Sequence, residues 1–235
     1  MLDSAALRAR LADVRDRIAR AAGRAGRDPA SVRLIAVSKT FSSDHVRVLA
    51  DAGQVDFAEN KVQEGLQKMD RTAGLPLRWH LVGHLQSNKA RKAAARFDTI
   101  HSVDTVELAG KLDQAAAAAG RTIELLAQVD LAGEPTKHGA REDELLAIFD
   151  AARAFRGARL KGLMLLPPAV DDPEEARDYF RALNSVREHL MTRGVDLAML
   201  SELSMGMSHD FEIAVEEGAT LVRVGTAIFG SRTYV

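Results

Sequence analysis

Eight short apolar runs recur along this chain with helical segments between them, and that alternation restricts the fold more than any single residue does. The runs are Val32–Val37, Val55–Ala58, Trp79–Val82, Thr99–Val103, Ile123–Val129, Leu160–Leu165, Met199–Leu203 and Leu221–Val224. A run such as Leu34–Val37 (LIAV) reads as a buried strand. Helical character lies between them at His45–Ala52, Asn60–Met69, Asn88–Phe97, Thr105–Ala119, Glu142–Phe155, Pro173–Met191 and Asp210–Glu217. Asp172 can cap the sixth of these, with Pro173 in its first position and Glu174 and Glu175 complementing its dipole. Ahead of the first run, Leu7, Leu11, Val14 and Ile18 mark one face of an additional helix. Strands alternating with helices eight times over predict an α/β fold, a (β/α)8 TIM-type barrel with an extra N-terminal helix, as a single domain over residues 1–235. A doubly wound open sheet is the alternative, but its G-x-G-x-x-G turn is missing, and so is a G-x-x-x-x-G-K-[ST] loop.

Composition removes several function classes. The net charge is −1, so no global basic field points to nucleic acid or to an anionic membrane. Cysteine is absent, which excludes disulfides and thiolate metal sites. The first 22 residues contain no uninterrupted apolar core of a secretory signal, and no run approaches the ~18 apolar residues of a membrane span. A cytoplasmic monomer is the expectation.

In a barrel the chemistry sits where strands end. The first strand ends in Ser38-Lys39, the second in Glu59-Asn60, and the third carries His80 before Gly83-His84. Strand six brings Met164; strand seven leads into LSMGMS, with Ser204, Met205 and Ser208; strand eight leads into Gly225-Thr226. Barrels often bind phosphate at the loops after strands seven and eight, through backbone N–H groups at a short helix start. Each turn alone also fits an ordinary structural role.

Only eight of the 32 basic residues are lysines, and one of them, Lys39, stands where a buried strand meets its loop. A partly desolvated lysine has a lowered pKa, and its free amine can form a Schiff base with an aldehyde. The competing reading is a lysine that snorkels its charge to the rim. Arg223, between Val222 and Val224, points away from their face and into the barrel. It needs an acceptor: a pyridine nitrogen, or a salt bridge to Glu202 or Glu59. Toward a pyridine nitrogen an arginine donates and leaves the ring unprotonated, which weakens it as an electron sink. His80 and His84 lie ~13 Å apart on an extended strand, too far to share an ion, so no metal site is read from that pair. Lys89, Lys92 and Arg96 share a helix face, read as solvated, with a docking patch for an acidic partner as the sharper alternative.

The blocks LIAVSKT, FAENKVQE, WHLVGHLQSNK, HSVD, GLMLLP and LSMGMSHDFEIAVEEGATLVRVGTAIFG closely resemble the pyridoxal phosphate homeostasis (YggS/PROSC) family, from the first helix to the C-terminus. That family's fold resembles the barrel domain of fold-type III enzymes such as alanine racemase. The resemblance implies that Lys39 carries pyridoxal 5′-phosphate as an internal aldimine, with Asn60 beside the ring. Met164 and Met205 would line the pocket. Ser204 or Ser208, with Gly225 and Thr226, would hold the phosphate, and Arg223 would face the pyridine nitrogen. Lys137, in PTKHG, matches a second lysine implicated in cofactor transfer, and His80 is a further secondary candidate. Ala58 stands in FAEN where the family usually has glycine. The implied role is intracellular vitamin B6 homeostasis, storing the cofactor or delivering it to apo-enzymes, without established turnover.

Two enzymatic alternatives stay open. A racemase or transaminase needs acid/base groups on both faces of the substrate carbon. The two tyrosines, Tyr179 within a helical pattern and Tyr234 next to the last residue, are poorly placed for that. A Schiff-base sugar-phosphate aldolase would need a proton-shuttling carboxylate near the lysine, for which Glu59 is the candidate.

Overall fold

The computed structural model describes residues 2–131 and 138–231. Eight parallel strands close into a barrel in sequence order, β1 pairing with β8. They are β1 (Arg33–Val37), β2 (Asp56–Glu59), β3 (Arg78–Leu81), β4 (Thr99–Val103), β5 (Ile123–Val129), β6 (Ala158–Leu165), β7 (Glu202–Ser204) and β8 (Leu221–Val224). The helices are α1 (Ser4–Arg24), α2 (Ser43–Asp51), α3 (Val62–Arg71), α4 (Ala90–Ala94), α5 (Val106–Ala118), α6 (Glu142–Ala152), α7 (Arg177–Thr192), α8 (Phe211–Glu216) and α9 (Thr226–Phe229). Every expected strand is present, so the open-sheet alternative falls. The seventh differs most: Leu197–Met199 form a 3-10 turn capped by Asp196, and the strand itself is only Glu202–Ser204. The expected sixth helix also begins as a 3-10 turn, Pro173–Ala176, whose Glu174 N–H donates to the Asp172 carboxylate as its sequence signals.

Strand alternation divides the core in two. Leu34, Ala36, Phe57, Trp79, Leu81 and Leu203 face the helices and join the large outer core. Ile35, Val37, Ala58, Val82, Leu126, Met164 and Leu221 fill the barrel interior. Each strand is covered on both faces, which is why the sequence shows nearly continuous apolar runs.

α1 sits outside the eight-fold pattern and braces the last part of the chain. Its buried Leu7, Leu11, Val14 and Ile18 form the stripe expected from their spacing. The Arg10 side chain donates to the Ile228 carbonyl in α9 at 2.6 Å. Arg17 pairs with Glu212 and lies 4.7 Å from the Phe211 ring centroid. Among the described residues, no helix is long and apolar enough to cross a membrane.

Candidate functional site

A cavity of about 600 Å³ opens at the C-terminal ends of the strands. Period-2 alternation puts Lys39 on the same face as Ile35 and Val37, so the end of β1 delivers its side chain to that cavity. Lys39 is half-buried. The chain then turns sharply: Thr40 has φ +71°, a left-handed conformation that costs a β-branched residue roughly 1–2 kcal/mol. Two contacts hold this strained turn. The Thr40 N–H donates to Glu64 at 2.6 Å, and the Ser38 carbonyl accepts from Lys68 Nζ at 2.6 Å.

Lys68 and Glu59 form a buried ionic brace behind β1 and β2. Lys68 Nζ reaches Glu59 Oε1 at 2.5 Å and Glu64 Oε1 at 3.0 Å, while Ser38 Oγ donates to the same Glu59 oxygen at 2.6 Å. Glu59 Oε2 is buried without a partner. Burial pushes the Glu59 carboxyl up to about 7 despite the attraction of Lys68 and the bond from Ser38. Alternation puts Glu59 on the face of Phe57, toward the helix layer and away from the cavity, and the aldolase reading loses its carboxylate.

The floor is set by Arg223, which is buried at 3% exposure and lines the cavity from β8. It pairs with neither Glu202 nor Glu59: Glu202 takes Arg33 at 2.7 Å, and Glu59 lies behind the wall. Arg223 donates instead to Ser204 Oγ at 2.6 Å and to the Leu165 carbonyl at 2.8 Å. Burial lowers its pKa to about 10, so it remains a cation at neutral pH.

From Ser204 a chain of polar groups runs down the barrel interior. Ser204 Oγ meets His101 Nδ1 at 2.9 Å, His101 Nε2 meets His80 Nδ1 at 3.0 Å, and His80 Nε2 meets Asp56 Oδ1 at 3.0 Å. Its ends fix its direction, because Arg223 can only donate and an ionised Asp56 only accepts. Ser204 thus donates to His101, His101 to His80, and His80 to Asp56. Burial, followed by the neighbouring His80 and Arg223, holds His101 well below the usual histidine range, hence neutral. Burial opposes ionisation of Asp56, but His80 and Arg78 outweigh it and lower its pKa.

On the β7–β8 side, Ser208 Oγ accepts from the backbone N–H groups of Gly225 at 3.1 Å and Ala227 at 3.2 Å. These donors open α9, the short helical turn expected after Gly225. Two strands round from β8, with β1 between, Asn60 stands at the end of β2. A Cβ on Gly83 would run into the Asn60 backbone, so only glycine lets β3 end this close to it.

Lys39, Asn60, Ser208, Arg223, Gly225 and Thr226 thus converge on one cavity. Three expected members do not line it. Ser204 is fully buried beneath Arg223, and its hydroxyl is committed to the interior chain. Met205, the next residue, necessarily points the other way, into the outer core. Met164 packs in the interior beneath the cavity. His80 lies deeper still, and Lys137 lies outside the described residues. Ala58 is wholly buried in the interior cluster and does not line the cavity. Sequence reasoning missed His101, Lys68 and Gln128, the last reaching the cavity from β5. A histidine at the middle of the Thr99–Val103 strand run was the available signal for His101. An amine at the rim, a buried cation below and a nest of amide donors to one side form a receptor for a planar, anionic aldehyde.

The fold and this donor arrangement define a fold-type III-like barrel: residues 6–233 match the family described as "Alanine racemase, N-terminal domain". A solved alanine racemase from Corynebacterium glutamicum shares this fold at TM-score 0.70 and 19% identity, over 97% of this chain and 61% of that one. The chain is more similar to the pyridoxal phosphate homeostasis protein of Aquifex aeolicus, 40% identical over 96% of this chain and 98% of that protein. PipY of Synechococcus elongatus PCC7942, solved with PLP bound, superposes at TM-score 0.84 and 40% identity, covering 95% of this chain and all of that one. The chain belongs to the pyridoxal phosphate homeostasis protein family.

Proposed function

We propose that the cavity holds pyridoxal 5′-phosphate and that the protein stores this cofactor or hands it to apo-enzymes in the cytoplasm, acting as a monomer rather than turning over a substrate. The observation that carries this reading is the convergence of Lys39 and Arg223 on one cavity beside the Ser208–Gly225 donors. These residues fit the group by charge and chemistry: an amine for the aldehyde carbon, a permanent donor for the pyridine nitrogen, and amide and hydroxyl donors for the phosphate. When bound, the cofactor supplies an electrophilic carbon that an amine can hold reversibly. Lys39 supplies that amine. Arg223, oriented by Ser204 and Leu165, presents N–H to the ring and withholds a transferable proton, which disfavours carbanion chemistry. Asn60 would stand beside the ring, and Ser208, Gly225 and Thr226 would hold the phosphate.

A carrier also accords with the cavity walls. No tyrosine lines the cavity among the described residues, and Tyr179 packs against the outer core from α7. Among the described residues, then, no tyrosine offers a second acid/base group across the cavity, and Tyr234 lies outside them. Incubating the purified, cofactor-loaded protein with L-alanine and following optical rotation should show no racemisation. Incubation with an apo-enzyme that needs the cofactor should restore that enzyme's activity. Racemisation at an enzyme-like rate, or failure to restore the apo-enzyme, would overturn the carrier role. The structure keeps only Lys92 of Lys89, Lys92 and Arg96 within α4, with Lys89 in the 3-10 turn before it and Arg96 after it; recharging all three to glutamate tests this exposed surface as the docking site, and unchanged transfer would remove that idea.

A further inference from the structure

Among the described residues, one group of three metal-capable side chains converges: His84, Asp104 and His138, with a ligand atom from each within 4.8 Å of the others. They come from the ends of three neighbouring strands. His84 follows β3, Asp104 directly follows β4, and His138 precedes the bridge that returns the chain to β5. The sequence pairs His84 with His80 and rejects a shared ion for that pair; the fold sends His80 into the interior and brings His84 against a histidine 54 positions away.

We infer that His84, Asp104 and His138 form a binding site for a divalent transition-metal ion, Zn2+ foremost, at the rim of the cavity. The two imidazoles lie face to face, centroids 3.5 Å apart and planes 11° apart, and His84 Nδ1 is 4.0 Å from Asp104 Oδ2. Rings stacked in near-parallel planes send their in-plane nitrogen lone pairs along near-parallel directions, so both rings must turn before they meet at one ion. Tetrahedral ligands 2.0–2.1 Å from zinc stand about 3.3 Å from one another, so rotation of the rings and a small contraction complete the set.

All three ligands stand on anchored backbone. Gly83, before His84, has its carbonyl held by Ser102 Oγ at 2.8 Å. Thr105, after Asp104, caps α5. Ala140 exchanges hydrogen bonds with Gln128 and Asp130, and the Gln128 side chain donates to the His138 carbonyl. Two imidazole nitrogens and one carboxylate suit borderline transition ions and not Mg2+ or Ca2+, which prefer all-oxygen sets. Three protein ligands leave a coordination position for water or for a donor of a cavity ligand.

The site is tested on the cofactor-free protein by titrating Zn2+ in a buffer without chelating groups and reading the heat. Co2+ in its place should give the visible band of a tetrahedral ion. The wild type should bind about one Zn2+ per chain, and His84→Ala and His138→Ala should each weaken this by more than about a hundredfold, beyond the ~10–100-fold that loss of an outer-sphere partner costs. His189→Ala, on an exposed histidine beside Glu142, should titrate like the wild type. Circular dichroism checks that each variant is folded. A wild type that takes up no Zn2+, or His84→Ala and His138→Ala proteins that titrate as it does, would overturn the assignment. Because the titration needs no cofactor, its failure would leave the proposed function standing.

Discussion

Behind Lys39 the buried polar support is ionic, whereas beneath Arg223 it is a chain of mostly neutral groups. On the first side, Lys68 and Glu59 sit at 2.5 Å outside the barrel wall and steady the Ser38 carbonyl and the Thr40 turn. On the second, Ser204, His101 and His80 pass hydrogen bonds in one direction down to Asp56 inside the barrel. The difference follows from surroundings. The outer pair stabilises a strained turn through a charge and leaves one carboxylate oxygen orphaned. The inner chain satisfies each nitrogen and hydroxyl it contains in a fixed order, so it sets the orientation of one guanidinium. A buried pair is sensitive to losing one partner, and a relay is sensitive to losing its middle.

Removing half of the ionic brace should have the largest effect. Above about pH 8, where Glu59 is ionised in the wild type, Lys68→Met leaves it buried without its cation and should cost roughly 3–5 kcal/mol, read from the denaturant midpoint. A Lys68→Met/Glu59→Leu double variant should recover much of the loss. A single variant no less stable than a surface substitution would contradict the brace.

The same pair predicts a pH dependence. Unfolded, a glutamate titrates near 4.5; folded, Glu59 titrates at about 7. Between those values the folded chain keeps a proton that the unfolded chain has released. This group's contribution is therefore greatest at or below pH 4.5 and declines as pH rises through about 7, by up to roughly 3 kcal/mol. Glu59→Gln should flatten that part of the stability profile. An unchanged slope in the variant would show that the carboxyl titrates elsewhere.

Breaking the interior chain should cost less stability and more function. His101→Leu leaves Ser204 and His80 each short of a partner, a penalty of about 1–3 kcal/mol, and should speed loss of bound cofactor on dilution. Unaltered retention would detach the chain from the site. The smallest effect belongs to the strained turn. Thr40→Gly should relieve the left-handed backbone for a net gain of about 0.5 kcal/mol, since glycine's own entropy offsets part of it. A clear loss of stability would mean that Thr40's side chain contributes more than its backbone strain costs.

What the sequence revealed and what it hid divide along the same line. The eight strands, the extra helix, Lys39 at a rim and Arg223 facing inward were all legible, because each depends on local periodicity. Alternation also held information that went unused. Ser204 and Met205 are consecutive in the chain and cannot both face one cavity, so placing both there conflicts with period 2. His101 pairs with Ser204 across 103 positions, and Lys68 reaches back 30 positions to Ser38. A lysine among helical residues reads as solvated, and only the closed barrel shows it turned inward beneath a strand end. The stacking of His84 on His138 is likewise a product of adjacent strand ends that no local pattern encodes.

The central claim is that Lys39, among eight lysines, holds the cofactor. The direct test is to load the wild-type protein with pyridoxal 5′-phosphate, reduce it with borohydride, digest it and locate the labelled peptide by mass spectrometry. The label should fall on Lys39 at near-full occupancy, and the yellow colour of the loaded protein should vanish on reduction. A label on a different lysine, with Lys39 unmodified, would contradict the account.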